Sequence, residues 1–227
     1  MKLPFEVLFE DNHLLVVNKP AGMLVQGDRT GDEPLIELGK RYLKQKYDKP
    51  GNVFLGSAHR IDRPVSGVVV MARTSKALER LNQAFKDRQV EKTYWAIVVR
   101  RPAFPEDTLV HWLIKDGRRN ITAAYDSKKP GTTRAELSYS ILRSVNKEHW
   151  LEVKPVTGRP HQIRVQLAKI ASPIVGDVKY GAPTLNEDAS ICLHARAITL
   201  MHPVKKEMMT WTAPVPHLDE WNITKAK

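Results

Sequence analysis

Three short segments gather the residue types that can do chemistry. The first is His59-Arg60-Ile61-Asp62-Arg63-Pro64-Val65-Ser66-Gly67, which leads directly into the apolar stretch beginning at Val68. Asp62 stands between Arg60 and Arg63, and neighbouring cations favour the charged form of a carboxylate. An ionised carboxylate can act as nucleophile, electrostatic stabiliser or base. A loop at the end of a buried strand is a usual place for such a group. The same residues also suit an Asp that caps a turn while the arginines sit in solvent.

The second segment is Thr157-Gly158-Arg159-Pro160-His161-Gln162-Ile163-Arg164. A glycine turn feeding a helix start places backbone amides and the helix dipole where they attract anions. With the helix begun at Pro160, His161 and Arg164 share a face and Ile163 and Leu167 turn to the core. Arg164 can then offer a fork-shaped cation to a carboxylate or a phosphate; a basic helix face in water uses the same residues. The third segment is Lys92-Thr93-Tyr94-Trp95-Ala96-Ile97-Val98. Strand alternation puts Tyr94, Ala96 and Val98 on one face and Trp95 and Ile97 on the other. Tyr94 suits a core position with a satisfied hydroxyl, a stacking platform for a base, or a proton-transfer group.

These segments need a scaffold, and the pattern supplies one. Phe5 to Phe9 alternates and Leu14 to Val17 is a short apolar run, so both read as strands. A helix is expected from Pro34 to Tyr47 with Leu35, Leu38 and Leu43 inward, ended by Lys49-Pro50-Gly51-Asn52. Val68 to Met71 predicts a strand buried on both faces. Thr74 or Ser75 caps a helix carrying Leu78, Leu81 and Phe85. Thr93 to Val99 is a strand, Leu109 to Leu142 a region of short strands and turns, and His149 to Lys154 another strand. Ile163, Leu167, Ile170 and Ala171 mark one face of a third helix. Cys192 to Leu200 and Met208 to Thr212 close the set, and Pro183 to Ser190 is expected to be a mobile loop. Strands in runs with only about three helices predict α+β with a mixed or antiparallel sheet rather than a doubly wound one.

Charge points to the partner. The 227 residues hold 36 Lys and Arg against 25 Asp and Glu, a net charge of +11. An excess of that size favours polyanions, with nucleic acid ahead of an anionic membrane. Cys192 is the only cysteine, which excludes an intrachain disulfide and a cysteine-rich zinc site. No basic-then-apolar leader opens the sequence, and no run approaches the roughly 20 apolar residues that span a bilayer. A cytoplasmic location is therefore expected, with no membrane partner.

Taken together, the motifs resemble the RluA-type family of pseudouridine synthases over nearly the whole chain. Asn18-Lys19-Pro20-Ala21-Gly22-Met23-Leu24-Val25 is similar to the family's KPxGxxV segment. His59-Arg60-Ile61-Asp62 with Ser66-Gly67 resembles HRLDxxTSG, Lys92-Thr93-Tyr94 with Ala96 and Val98 resembles KxYxAxV, and Thr157 to Arg164 matches TGRxHQIR. Leu193-His194-Ala195 and Thr212-Ala213-Pro214-Val215-Pro216 resemble the closing LHA and APxP elements. Ile61 and Val65 stand where Leu and Thr are usual, and Arg100 where a Gly commonly follows.

The resemblance implies a mixed, largely antiparallel central sheet flanked by helices, with an RNA-binding cleft across it. It implies an enzyme that isomerises uridine to pseudouridine in tRNA or rRNA, extruding the base at a cost of a few kcal/mol. Asp62 would be the catalytic carboxylate. Tyr94 would stack on the uracil and assist proton removal at C5, and Arg164 would pair with Asp62. Arg60 would help fill the gap left by the flipped nucleotide, with His59, Arg159 and His161 as further substrate-binding residues. No metal, organic cofactor or obligate protein partner is implied. A single catalytic domain over residues 1–227 is expected, without the extra N-terminal RNA-binding module of some relatives. Two other classes share the basic surface. A non-catalytic RNA binder would not require Asp62, Tyr94 and Arg164 together. A metal-dependent nuclease built on His59, Asp62, His161 and His194 would need more carboxylates than the motifs offer.

Overall fold

The computed structural model describes residues 3–28, 30–145, 148–217 and 221. In chain order the elements are β1 (Glu6–Glu10), β2 (Leu14–Lys19), α1 (Leu35–Lys46), β3 (Gly56–Ser57), β4 (Ser66–Ala72), α2 (Ser75–Lys86), β5 (Glu91–Val98), β6 (Glu106–Asp116), β7 (Ile121–Tyr125), β8 (Thr133–Val145), β9 (Glu148–Pro155), α3 (Gln162–Lys169), β10 (Leu193–Met201) and β11 (Met208–Thr212). A single 3-10 turn covers Val178–Tyr180. The fold is α+β, and the chain divides into two compact units. One comprises residues 1–91 with 195–216, the other residues 92–194 with 217–227.

In the first unit β2 runs antiparallel to both β1 and β4, and β10 runs antiparallel to β11. β4 is buried along its whole length, as a near-continuous apolar run should be when both faces are covered. Its core gathers Leu14 and Val16 of β2, Val68 and Val70 of β4, Ala77 and Leu81 of α2, and Ile198 and Leu200 of β10. α2 starts where expected, with Thr74 Oγ1 accepting the Ala77 amide at 3.2 Å. In α1 the deepest positions are Leu35, Gly39 and Leu43. Leu38, expected inward, is only half-buried. A Cβ on Gly39 would lie 2.6 Å from Leu55 Cδ2, so the close approach takes the glycine and rotates Leu38 aside.

In the second unit the strand order is β5-β9-β8-β6-β7, with each neighbouring pair antiparallel. The expectation of short strands from Leu109 to Leu142 does not hold. β6 has 11 residues and β8 has 13, and β8 breaks its register with β9 between Ile141 and Arg143. Charged ends such as Glu106, Asp107, Lys115 and Asp116 are exposed, which hides the strand pattern in the sequence. On its other edge β5 is bonded by Ile97, whose amide donates to Cys192 O and whose carbonyl accepts from Val175, both at 2.9 Å. The third helix also differs. His161 is left-handed (φ 53°), so α3 begins at Gln162 rather than Pro160. Residues 162 to 167 are all buried, polar Gln162, Arg164 and Gln166 among them. The loop from Pro183 to Ser190 is tethered by Asn186, whose Nδ2 reaches Ser190 Oγ at 3.4 Å.

Candidate active site

Asp62 belongs to the first unit, and Tyr94 and Arg164 to the second. Asp62 lies half-buried just after the buried Ile61. A turn follows, closed by the Val65 amide on Asp62 O at 3.1 Å, and its exit is constrained at Gly67. There φ is +118°, and a Cβ would fall 2.3 Å from Ala195 O, so only glycine lets β4 run this close to β10.

The register pairs Lys19 with Gly67, and this brings the Lys19-Pro20 turn under the Asp62 turn. Lys19 is fully buried. Its ammonium donates to Pro20 O and Met23 O at 2.8 Å and to Arg63 O at 3.4 Å. The Gly22 amide donates to Arg63 O at 2.8 Å, and Arg63 Nε returns a bond to Gly22 O at 3.0 Å. Burial lowers the Lys19 ammonium to about 7, while the Asp62 charge pulls it upward and Arg63 downward. Lys19 therefore knits two turns together and sets the electrostatic floor below Asp62, a role its motif alone did not disclose.

The flanking cations face solvent, one of the two arrangements the sequence allows. Arg60 and Arg63 are exposed, and Arg63 pairs with Asp32 at 2.7 Å. His59 is engaged by the fold itself. Its Nε2 accepts the Val70 amide at 2.9 Å, and its ring stacks on Phe85 at 4.8 Å. That arrangement makes His59 a tie between loop, β4 and α2.

In the second unit Tyr94 is half-buried near the start of β5, opposite Val153. Its neighbour Trp95 packs edge-on against Trp150 at 6.3 Å. Lys92, whose ammonium is lowered by burial, approaches the second motif: a Cβ on Gly158 would lie 3.9 Å from its Nζ. Gln162 organises that motif. Its Oε1 accepts from Thr157 Oγ1 at 2.7 Å and from the Arg159 amide at 2.9 Å, while its Nε2 donates to Glu136 O at 3.0 Å. Arg159 is exposed.

Arg164 is buried and meets a partner the sequence reading missed. Its Nε donates to Asp177 Oδ2 at 2.7 Å and its Nη2 to Asp177 Oδ1 at 2.8 Å, a bidentate fork on a carboxylate that is 1% exposed. The Tyr180 ring lies 5.0 Å from the Arg164 guanidinium carbon. Tyr180 in turn bonds His161 Nδ1 at 2.7 Å and accepts the Thr122 amide at 2.9 Å. The available signal was the run Gly176-Asp177-Val178-Lys179-Tyr180-Gly181, in which both glycines have positive φ and frame an acid and an aromatic. Among the described residues no three His, Cys, Asp or Glu side chains are grouped as metal ligands. Among them no helix is long and apolar enough to cross a membrane.

The model of the RNA pseudouridylate synthase family matches residues 13–169. The chain belongs to this family of RNA isomerases, in its RluA branch. It is 33% identical over 214 residues to the dual-specificity RNA pseudouridine synthase RluA of Escherichia coli, covering 92% of each chain. It is 31% identical over 218 residues to an uncharacterized RNA pseudouridine synthase of Synechocystis, covering 94% of this chain and 66% of that one. Among solved structures, the human RNA pseudouridylate synthase domain containing 4 superposes with a TM-score of 0.78 at 26% identity, over 93% of this chain and 89% of the other.

Proposed function

We propose that this protein isomerises specific uridines in structured tRNA or rRNA to pseudouridine, with Asp62 as the catalytic carboxylate. The observation that carries the reading is the Asp62 turn, a half-buried carboxylate on backbone bonded to Gly22 and to the buried Lys19. Groups held at a fixed point need no reorganisation when charge develops in the reaction.

The reaction breaks the bond between uracil N1 and the ribose, turns the base and joins C5 to the same ribose carbon. The proton lost from C5 is balanced by one gained at N1, so the product is an isomer and no oxidant enters. The target base must first leave its stack, at a cost of a few kcal/mol, which phosphate contacts from a chain of net charge +11 offset. A carboxylate beside the ribose can stabilise the positive charge that appears as the bond breaks, attack carbon, or take a proton. Tyr94 stacks on the uracil and assists at C5. Arg164, held on Asp177, is the third catalytic residue. Arg60 fills the vacated place in the stack, and Arg159 and His161 hold the RNA. The dual-specificity name of the Escherichia coli relative supports more than one RNA target.

The test is conversion by the purified protein of tRNA and rRNA transcripts labelled with tritium at uridine C5. Site-specific tritium release with pseudouridine at the same nucleotide is expected, without added cofactor and in the presence of chelator. No release from either RNA, together with an unchanged cellular pseudouridine map when the gene is deleted, contradicts the reading.

A further inference from the structure

Two lysines of the motifs lie low in the fold, and the fold treats them differently. Lys19 is fully buried and is given three carbonyl oxygens. Lys92 is half-buried near the start of β5. Among the described residues no carboxylate, carbonyl or hydroxyl is bonded to its ammonium. Burial is the one influence on that ammonium, and it lowers the pKa. Taking a cation part-way out of water without a partner costs free energy. The second unit by itself gains nothing from this charge, whereas an anion brought from outside would be attracted by it.

The surroundings leave a place for that anion. The Lys92 ammonium is not sealed from solvent. A Cβ on Gly158 would lie 3.9 Å from Lys92 Nζ, so the ammonium stands over the Thr157-Gly158-Arg159 turn at the one residue of the three with no side chain to cover it. The turn itself is pinned by Gln162 Oε1, which accepts from Thr157 Oγ1 at 2.7 Å and from the Arg159 amide at 2.9 Å. Arg159 is exposed and donates through Nε to Arg134 O at 3.3 Å, which keeps a second cation on the same turn. Strand alternation puts Lys92 on the same face of β5 as Tyr94, with roughly 7 Å between them along the strand. A lysine ammonium is a point charge with three donors and no acceptor, which suits the oxygens of a phosphate.

We propose that Lys92 binds a backbone phosphate of the substrate RNA beside the target uridine, and so sets the nucleotide that stacks on Tyr94. The RNA in this inference rests on the pseudouridine synthase reading; the unpaired ammonium does not.

Lys92→Met keeps the length of the side chain and removes its charge. In lysine-labelled wild-type protein the Lys92 ammonium, assigned by its loss from the spectrum of Lys92→Met, should titrate below an ordinary lysine. Adding the tRNA or rRNA transcript that binds most tightly should move that midpoint upward, because a phosphate favours the charged form. On the same transcript Lys92→Met should bind about 10-fold or more weakly, the worth of one charge-assisted hydrogen bond. The slope of log affinity against log salt should shrink by about 0.7–0.9, the share of one phosphate. The free variant should unfold no earlier than the wild type, since an unpaired charge has been removed. A Lys92 titration that RNA leaves unmoved, or an affinity and salt slope equal to those of the wild type, overturns the proposal. A variant that binds weakly because its denaturation midpoint has dropped makes Lys92 a structural residue and overturns it as well. A wild type whose Lys92 responds to RNA as expected but which releases no tritium from uridine contradicts the functional reading and supports the phosphate contact.

Discussion

The candidate residues of the two units are held in different ways. Asp62 is positioned chiefly by main chain, through a closed turn and the Gly22–Arg63 backbone bond, with one buried side chain, Lys19, gathering three carbonyls beneath it. Arg164 and His161 are positioned by side chains, through Asp177, Tyr180 and Gln162. Backbone ties tolerate substitution at the surface around them, because the bonding groups are present in every residue. Side-chain ties concentrate the outcome in single residues. The second unit should therefore be the more brittle under point mutation.

The largest effect is expected at Asp177. Asp177→Asn keeps the shape but removes the buried carboxylate charge on which the Arg164 guanidinium makes its two-pronged bond, a loss of about 3–5 kcal/mol. Chemical denaturation should show the midpoint fall accordingly, and a loss below about 1 kcal/mol would break the contrast between the units. Lys19 comes next. Lys19→Met strips the donor from three carbonyls and should cost about 1–3 kcal/mol near neutral pH.

Lys19 also predicts a pH dependence of defined sign. Its folded value of about 7 lies below the 10.5 of an ordinary lysine. Between these the unfolded chain binds the additional proton, so the wild type should gain stability as pH rises from about 7 toward 10. The Met variant should lack that slope, and parallel pH profiles of the two proteins would refute the assignment. The smallest effect belongs to Arg63. Its pair with Asp32 is exposed on both sides, so Arg63→Gln should cost about 0–1 kcal/mol and respond to salt. A larger loss would show that the Arg63 side chain, not its backbone, holds the turn.

Legibility in the sequence follows the same division. The Asp62 loop, β4 and the Tyr94 strand were readable because their residues are contiguous and β4 is buried on both faces. Helix α2 was readable through Thr74 and its apolar spacing. α3 was misread at its start, because Pro160 is a common first helical residue while a left-handed His161 leaves no periodic mark. Leu38 was placed inward because a glycine contributes nothing to hydrophobic periodicity, although Gly39 holds the deep position. Asp177 and Tyr180 lie 13 and 19 residues from the groups they bond, and spacing along one segment cannot disclose a partner folded back from another. Lys19 stood in a quoted motif, but its burial under Asp62 depends on the β2–β4 register.

The central claim is that Asp62 carries the reaction, and Asp62→Asn tests it most directly. The substitution keeps the size and removes the charge and the nucleophile. Pseudouridine formation on substrate RNA should be measured beside the thermal midpoint and RNA affinity of the same preparation. A folded variant should result that binds RNA at least as tightly as the wild type, since a negative charge has left a site for a polyanion. Its product formation should fall below detection, as expected when a group supplying several kcal/mol of transition-state stabilisation is lost. A folded, RNA-binding Asn variant that makes pseudouridine at the native rate would contradict the account.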